Sequence, residues 1–352
     1  MKAAFLRAPF EVEFRDVPEP RLGPGEVLLK PRLVGICGSD IQYAKRLATD
    51  WIRFGHEPTA EVLEVGPGVI DIAPGDFVAC QCSSACGYCY GCLMGRMEDC
   101  ENRHHTRFLG YFAERVAVHR RNVWKLDGTP LRSAVLLEPM GMAFDIVRLA
   151  EIQPDTTLAL IGPGPIGLMA LRLAKLRGAR RIFVVGVETD LQRFPLCKEL
   201  GADGCVNSSD DDPVQAIYEM TAGRGVDAVI DTATVATVPA ALQMCALGGK
   251  VVFVGESTEE GEAAKPNWRK PGSGSVPIDV NWMHLNRLQL RGSFAVPNGL
   301  LPLGKRLLDD GVFPADRLVT HVFPFAELAT ALRSVFERKD GVVKAAIEVN
   351  PA

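Results

Sequence analysis

Up to about Val123 the chain alternates short apolar runs with Gly and Pro. EVLLKPRLVGIC, AEVLEVGPGV and DFVACQC each read as a β-strand cut off by turn residues, which predicts an irregular all-β domain. After about Glu151 the period changes. TLALIGPGPIGLMALRLAKLRGARRIFVVGVE reads as an apolar strand, a glycine turn, an amphipathic helix and a second apolar strand, the order and length of a βαβ unit. VDAVIDTA and KVVFVGE continue as buried strands with the helical VPAALQMCAL between them, so the pattern predicts a parallel, doubly wound sheet. From Leu290, LRGSFAV and VVKAAIEV bracket a helical stretch near residues 301–310, and the chain is expected to leave that sheet and return to the first domain. Residues 256–277 are polar, aperiodic and rich in Gly, Pro and Ser, which predicts a long surface loop.

Length and composition add little beyond bounds. A chain of 352 residues is long enough for two domains, and 47% hydrophobic residues, 23% charged residues and a net charge of −4 describe an ordinary globular protein. No basic tract points to nucleic acid. The N-terminus breaks into charge and proline before an apolar h-region forms, and no run of eighteen uncharged apolar residues points to a membrane, so a cytoplasmic location is expected. In that reducing setting Cys80, Cys82, Cys197, Cys205 and Cys245 read as thiols, most of them packing residues.

Cysteine spacing changes the picture. Cys86, Cys89, Cys92 and Cys100 bring four thiols into fifteen residues of glycine-rich loop. Zinc takes four thiolates tetrahedrally at about 2.3 Å, and CxxC steps deliver two sulfurs from one turn. The spacing therefore predicts a closed, structural zinc site, with a disulfide cluster as the alternative.

Gly162, Gly164 and Gly167, with Pro165 and Ile166 between the last two, match GxGxxG directly after an apolar strand and directly before an amphipathic helix. The first glycine permits the turn, the second admits a dinucleotide pyrophosphate, and the third lets helix and strand pack closely. The helix N-terminus then supplies N–H donors and a partial positive charge. An acid that would grip the ribose of NAD is expected at the end of the second strand, but Gly186 stands there. Glu188 and Asp190 are near enough to serve, and Arg193 could meet the extra phosphate of NADP. The choice stays open, leaning towards NADP or dual use.

A second metal group is scattered. Gly35-Ile36-Cys37-Gly38-Ser39-Asp40, then Gly55-His56-Glu57, the four-cysteine lobe, Glu138-Pro139 and GxGxxG, in that order, resemble the zinc-dependent medium-chain dehydrogenase/reductase superfamily over nearly the whole chain. Glu138-Pro139 stands where alcohol dehydrogenases of the classical type carry a cysteine ligand, so the chain looks closest to the polyol branch of sorbitol, butanediol and threonine dehydrogenases.

The resemblance implies a GroES-like catalytic domain (residues 1–148 and 292–352, with a zinc lobe at about 80–102) around a Rossmann domain (149–291), assembled as a homodimer or homotetramer. It implies two zinc ions per chain and NAD or NADP. Cys37, His56 and Glu138 would bind the catalytic zinc, with Glu57 beside it, directly or through water. Ser39 would relay the alcohol proton. Gln42 occupies the position where the family often continues this relay with a histidine and cannot act as a base, so His104 and His105 become candidates. Lys344 would approach the cofactor phosphates. Leu109 to Glu114 resembles an architectural strand of the family.

The expected activity is reversible oxidation of a secondary alcohol, a polyol, sugar or cyclitol, to its ketone. Three protein ligands leave an open zinc position where a hydroxyl can lose its proton. The alternatives are a primary-alcohol dehydrogenase, an NADPH-dependent carbonyl reductase, and a non-catalytic zinc-stabilised nucleotide-binding protein.

Overall fold

Alternating burial along Glu26–Gly35, with Val27, Leu29 and Val34 fully inside, makes this ten-residue strand the spine of the first unit. Removing each such side chain from water stabilises the fold by about 1.5–3 kcal/mol. In the computed structural model, which describes residues 1–105, 110–255, 276–294 and 300–351 and not the side chains of His104 and His105, the strand sits centrally in a sheet. The order is Val123–Lys125, Phe77–Cys80, Glu57–Val65, Glu26–Gly35, Lys344–Glu348 and Val319–Pro324, with Val116–His119 also paired to the spine. Pro31 lacks an N–H, and the register to Glu57–Val65 shifts beside it. At its end, Gly35 lies opposite Glu57 on one side and Ala346 on the other. Sequence-distant residues are thereby neighbours. A second sheet joins Glu11–Asp16, Lys2–Arg7 and Ile52–Arg53.

Tyr111 and Phe112 are core residues, but the expected strand around them is reduced to one antiparallel bridge, Ala3 to Ala113, and Leu109 lies outside the described residues. The unit comprises Met1–Gly141 and Ala295–Ala352.

The other unit is Met142–Phe294. Its six strands are all parallel, ordered Gly204–Asn207, Arg181–Gly186, Thr157–Ile161, Val226–Asp231, Cys245–Phe253 and Gln289–Gly292. Thr157–Ile161 is buried at every position, as a strand covered on both faces must be. Two expectations need correcting. The helix after Val226–Asp231 runs only Val238–Gln243, and the strand begins at Cys245, earlier than its apolar KVV core, because the parallel ladder recruits Cys245 opposite Val226. Leu290 also stays in the sheet, since Gln289–Gly292 pairs with Lys250–Phe253. Departure from the sheet follows Gly292. The helix expected near 301–310 is Leu300–Asp309, and of the expected loop, residues 256–275 lie outside the described residues.

Candidate active site and nucleotide loop

The four lobe cysteines are all buried, with their sulfurs within 4.8 Å of one another. Cys89 Sγ is 3.5 Å and Cys86 Sγ 3.9 Å from Cys92 Sγ. Four sulfurs at about 2.3 Å from one tetrahedral centre stand about 3.8 Å apart. The separations therefore fit one ion, and they exceed a disulfide bond length of about 2.05 Å. Backbone N–H groups of Cys86 and Cys89 donate to Cys100 and Cys86 sulfurs at 3.3 Å. Backbone donors at Cys92 and Glu101 hold the Cys89 thiol down at about 6, the direction that favours a metal-binding thiolate.

In the same unit Cys37, His56 and Glu57 bring their donor atoms within 4.8 Å of one another. Cys37 follows the spine strand by two residues and caps the short helix Gly38–Gln42, and the neighbouring strand begins with Glu57. Gly35 makes the approach possible: a Cβ there would stand 2.3 Å from Glu57 Oε2 and 2.9 Å from Val135 Cγ1. Asp40, which sequence reading passed over, is buried and works on both sides. Its Oδ2 accepts the Cys37 N–H at 2.9 Å, and its Oδ1 lies 3.6 Å from His56 Nδ1. Burial alone would push His56 down, but Asp40 and Cys37 outweigh it and hold the imidazole well above its ordinary value.

Glu138, in the first turn of Leu137–Leu149, is buried but stands outside this close triad. Desolvation pushes its carboxyl up, with Glu57 adding repulsion and His56 opposing. Its hydrogen-bond partner is Cys82, which the sequence presented as a packing thiol. Two glutamates, Asp40 and a cysteine thus crowd around two cationic side chains, His56 and Lys344. That surplus of soft and anionic donors in a buried pocket is what a divalent zinc ion neutralises. Ser39 Oγ is buried with no hydrogen-bond partner among the described residues.

Lys344 corrects an expectation. Its ammonium does not stand out as a phosphate ligand but is buried against Glu57 Oε2, because Lys344–Glu348 is the strand next to the spine. Burial would lower the ammonium, yet Glu57 and Cys37 hold it above its ordinary value. Gln42 ends the short helix, and the His104 and His105 side chains lie outside the described residues.

In the other unit the glycine loop joins Thr157–Ile161 to the helix Pro165–Leu176, with Gly164 as N-cap and Pro165 and Ile166 in its first turn. Gly162 has φ +87°, and a Cβ on Gly167 would stand 2.1 Å from Gly162 O, whereas one on Gly164 meets nothing within 4 Å. Gly164 therefore faces open space that a pyrophosphate could enter. Thr232, unsuspected from sequence, locks the turn by donating from Oγ1 to Gly162 O at 2.7 Å.

Arg193 is again placed otherwise than expected. It is buried, donates to Pro163 O at 3.3 Å and lies 3.5 Å from Asp190, so it braces the loop from beneath rather than offering its charge to a phosphate. Glu188 is exposed, its N–H bonded to Ser209 Oγ at 2.9 Å. A Cβ on Gly186 would meet Asp190 Cβ and Phe194 Cε1 at 3.0 Å, so an acidic side chain does not fit there without displacement. Among the described residues no helix is long and apolar enough to cross a membrane.

Family models match both units: the alcohol dehydrogenase GroES-like domain over residues 23–128 and the zinc-binding dehydrogenases over residues 165–298. Sorbitol dehydrogenase of Bacillus subtilis (strain 168) is 30% identical over 99% of this chain and 98% of its own length. Among solved structures, 2R,3R-butanediol dehydrogenase from Bacillus subtilis superposes with TM-score 0.83 at 27% identity over 99% of each chain. A zinc-binding dehydrogenase from Sinorhizobium meliloti 1021 bound to NADP gives 0.84 at 28% identity, covering 99% of this chain and 98% of that one.

Proposed function

The chain belongs to the zinc-dependent medium-chain dehydrogenase/reductase family, in its polyol branch, and from that premise we propose that it oxidises a secondary alcohol of a polyol, sugar or cyclitol to the ketone. It is an NAD(P)-linked alcohol dehydrogenase. Cys37, His56 and Glu138 hold the catalytic zinc with Glu57 beside it, and Cys86, Cys89, Cys92 and Cys100 hold a second, structural zinc. The observation that carries this reading is the group of Cys37, His56 and Glu57 donors within 4.8 Å of one another, the last two buried and Cys37 partly so, with Glu138 adjacent and negative charge in excess.

Zinc, when bound, stabilises the negative charge that develops on the substrate oxygen. The chain's own residues do the rest. Ser39 Oγ, buried with no protein partner among the described residues and able both to accept and to donate, would take the hydroxyl proton. Asp40 lies against the His56 ring, and the Lys344 ammonium pairs with Glu57 inside a low-dielectric pocket. The loop 162–167 seats the pyrophosphate on the helix N-terminus and so orients the nicotinamide for hydride transfer.

Sorbitol and 2R,3R-butanediol, the compounds for which two relatives are named, both carry a secondary hydroxyl beside a second oxygen-bearing carbon. Two glutamates at the metal suit such a polar substrate better than an alkyl one. Gly186 leaves no carboxylate to repel a 2′-phosphate, which favours NADP or use of both cofactors, as does the NADP bound to the Sinorhizobium meliloti relative. Arg193 is buried beside Asp190, which weighs against it as the phosphate's partner. A homodimer or homotetramer is the proposed assembly.

The test is formation of reduced cofactor by zinc-replete protein across polyols, sugars, cyclitols and simple secondary alcohols, with NAD and NADP in parallel. Turnover of polyhydroxylated substrates in preference to simple secondary alcohols is the expected result. Preference for primary alcohols, or reduction of ketones by NADPH alone, would replace this reading with the corresponding alternative. For the structural metal, Cys89→Ser is expected to release zinc from the lobe and cost about 4 kcal/mol or more of stability. Denaturant unfolding and metal analysis check this, and an unchanged midpoint with full zinc content would refute it.

A further inference from the structure

We propose that Cys197 and Cys205 are a reversible disulfide site, oxidised by peroxide, through which the nucleotide unit's grip on the adenosine end of the cofactor is controlled. Cys197 lies in the helix Phe194–Leu200 and is fully buried, while Cys205 lies on the edge strand Gly204–Asn207 and is partly exposed. Strand side chains alternate between faces. Val206 belongs to the apolar cluster with Ile217 and Val226, so Cys205 points to the opposite face, where the helix carrying Cys197 packs. There the helix and the strand are in contact, and Cys197 and Cys205 interact across it. The turn between them is fixed: Gly201 caps the helix at φ +116°, and the N–H groups of Gly201 and Ala202 both donate to Cys197 O, at 3.1 and 2.9 Å.

The pair is asymmetric in the way a redox couple needs. The interaction with Cys197 holds the partly exposed Cys205 thiol below its ordinary value, and the same interaction, with burial, pushes Cys197 up. An accessible thiolate beside a buried resolving thiol is the arrangement in which a sulfenic acid is captured as a disulfide. In the first step Cys205 sulfur attacks hydrogen peroxide, an S–O bond forms as the O–O bond breaks, and hydroxide leaves and is protonated to water. In the second, Cys197 sulfur attacks Cys205 sulfur, the S–S bond forms, the S–O bond breaks, and a second water leaves with the Cys197 proton. Two thiols lose two electrons and two protons, and one peroxide becomes two waters.

Both arms end at the cofactor loop. The helix follows Arg193, which donates to Pro163 O, and the strand runs into Ser208 and Ser209, which bond Gly186 O at 2.8 Å and the Glu188 N–H at 2.9 Å. Closing the disulfide shifts these anchors and weakens cofactor binding. That consequence rests on the proposed dehydrogenase reading, whereas the disulfide itself does not.

Zinc-replete full-length protein would be treated with hydrogen peroxide, alkylated and digested with trypsin, which isolates the two cysteines on peptides 194–198 and 199–224. The expected product is the two peptides linked, released by dithiothreitol, and absent from Cys197→Ser and Cys205→Ser. Oxidised wild type should bind NADH and NADPH about tenfold more weakly than reduced protein, with no such change in Cys197→Ser. Recovery of both peptides separately, alkylated or irreversibly oxidised, would overturn the site. A linked peptide with unchanged cofactor affinity would overturn its control of binding. Failure of reduced protein to bind either cofactor would count against the dehydrogenase reading, and the linked peptide would still decide the disulfide.

Discussion

Replacing Cys37 by Ser is expected to lower kcat/KM by about three orders of magnitude or more while leaving a folded protein. In the proposed site Cys37 would give zinc its sulfur ligand, beside His56 and Glu57. Serine is a far poorer ligand at neutral pH, and loss of the metal forfeits several kcal/mol of transition-state charge stabilisation. The fold should tolerate the change, because the Cys37 contact that shapes the chain locally is its backbone N–H to Asp40, which serine retains. Steady-state kinetics, zinc content and an unfolding curve on the same preparation separate the two effects. Wild-type activity with wild-type zinc content would remove Cys37 from the site.

Lys344→Met should act on stability as strongly as Cys37→Ser acts on turnover. Methionine matches the length of the lysine stem but removes the cation paired with a buried Glu57, and stranding a buried charge costs about 3–5 kcal/mol. Adding Glu57→Gln should recover most of that loss, because a neutral amide no longer needs the ammonium. The pH dependence has a definite sign. Lys344 is held above its ordinary 10.5, so its contribution is fully present below that value and is lost only as pH rises through the raised one. The gap between wild type and Lys344→Met should therefore stay flat through neutral pH, and it should shrink when zinc supplies the missing positive charge. Urea midpoints in metal-free and zinc-loaded protein measure it. Equal midpoints for Lys344→Met and wild type in metal-free protein would show that Glu57 does not depend on Lys344.

Local pattern made part of this site legible. Four cysteines in one loop and three glycines in one turn act within a few residues, so their spacing nearly dictates their geometry, and the structure brings each set together. Cys37, His56 and Glu57 needed the wording around them, since a lone Cys or His carries no spacing signal. What sequence could not supply was contact across strands. Lys344 was expected at the cofactor phosphates because nothing within ten residues of it names Glu57. Only the pairing of Lys344–Glu348 and Glu57–Val65 on either side of Gly35 makes them neighbours. Arg193 and Thr232 escaped the sequence for the same reason, as one reaches the glycine loop from the start of the helix Phe194–Leu200 and the other from the end of the strand Val226–Asp231. Asp40 did have a signal: an acid three residues after Cys37, at a helix start, returns to the Cys37 N–H.

The strand order also sets a timetable for biosynthesis. The four-cysteine lobe is local, and the nucleotide unit is one contiguous stretch, so both can fold while the ribosome is still adding residues. The partner of Glu57 lies almost 290 residues further on, in the strand Lys344–Glu348. A nascent chain therefore holds Cys37, His56 and Glu57 without their neutralising lysine until Lys344 has been synthesised, and a chain truncated before Lys344 should capture metal in the lobe without completing the catalytic pocket.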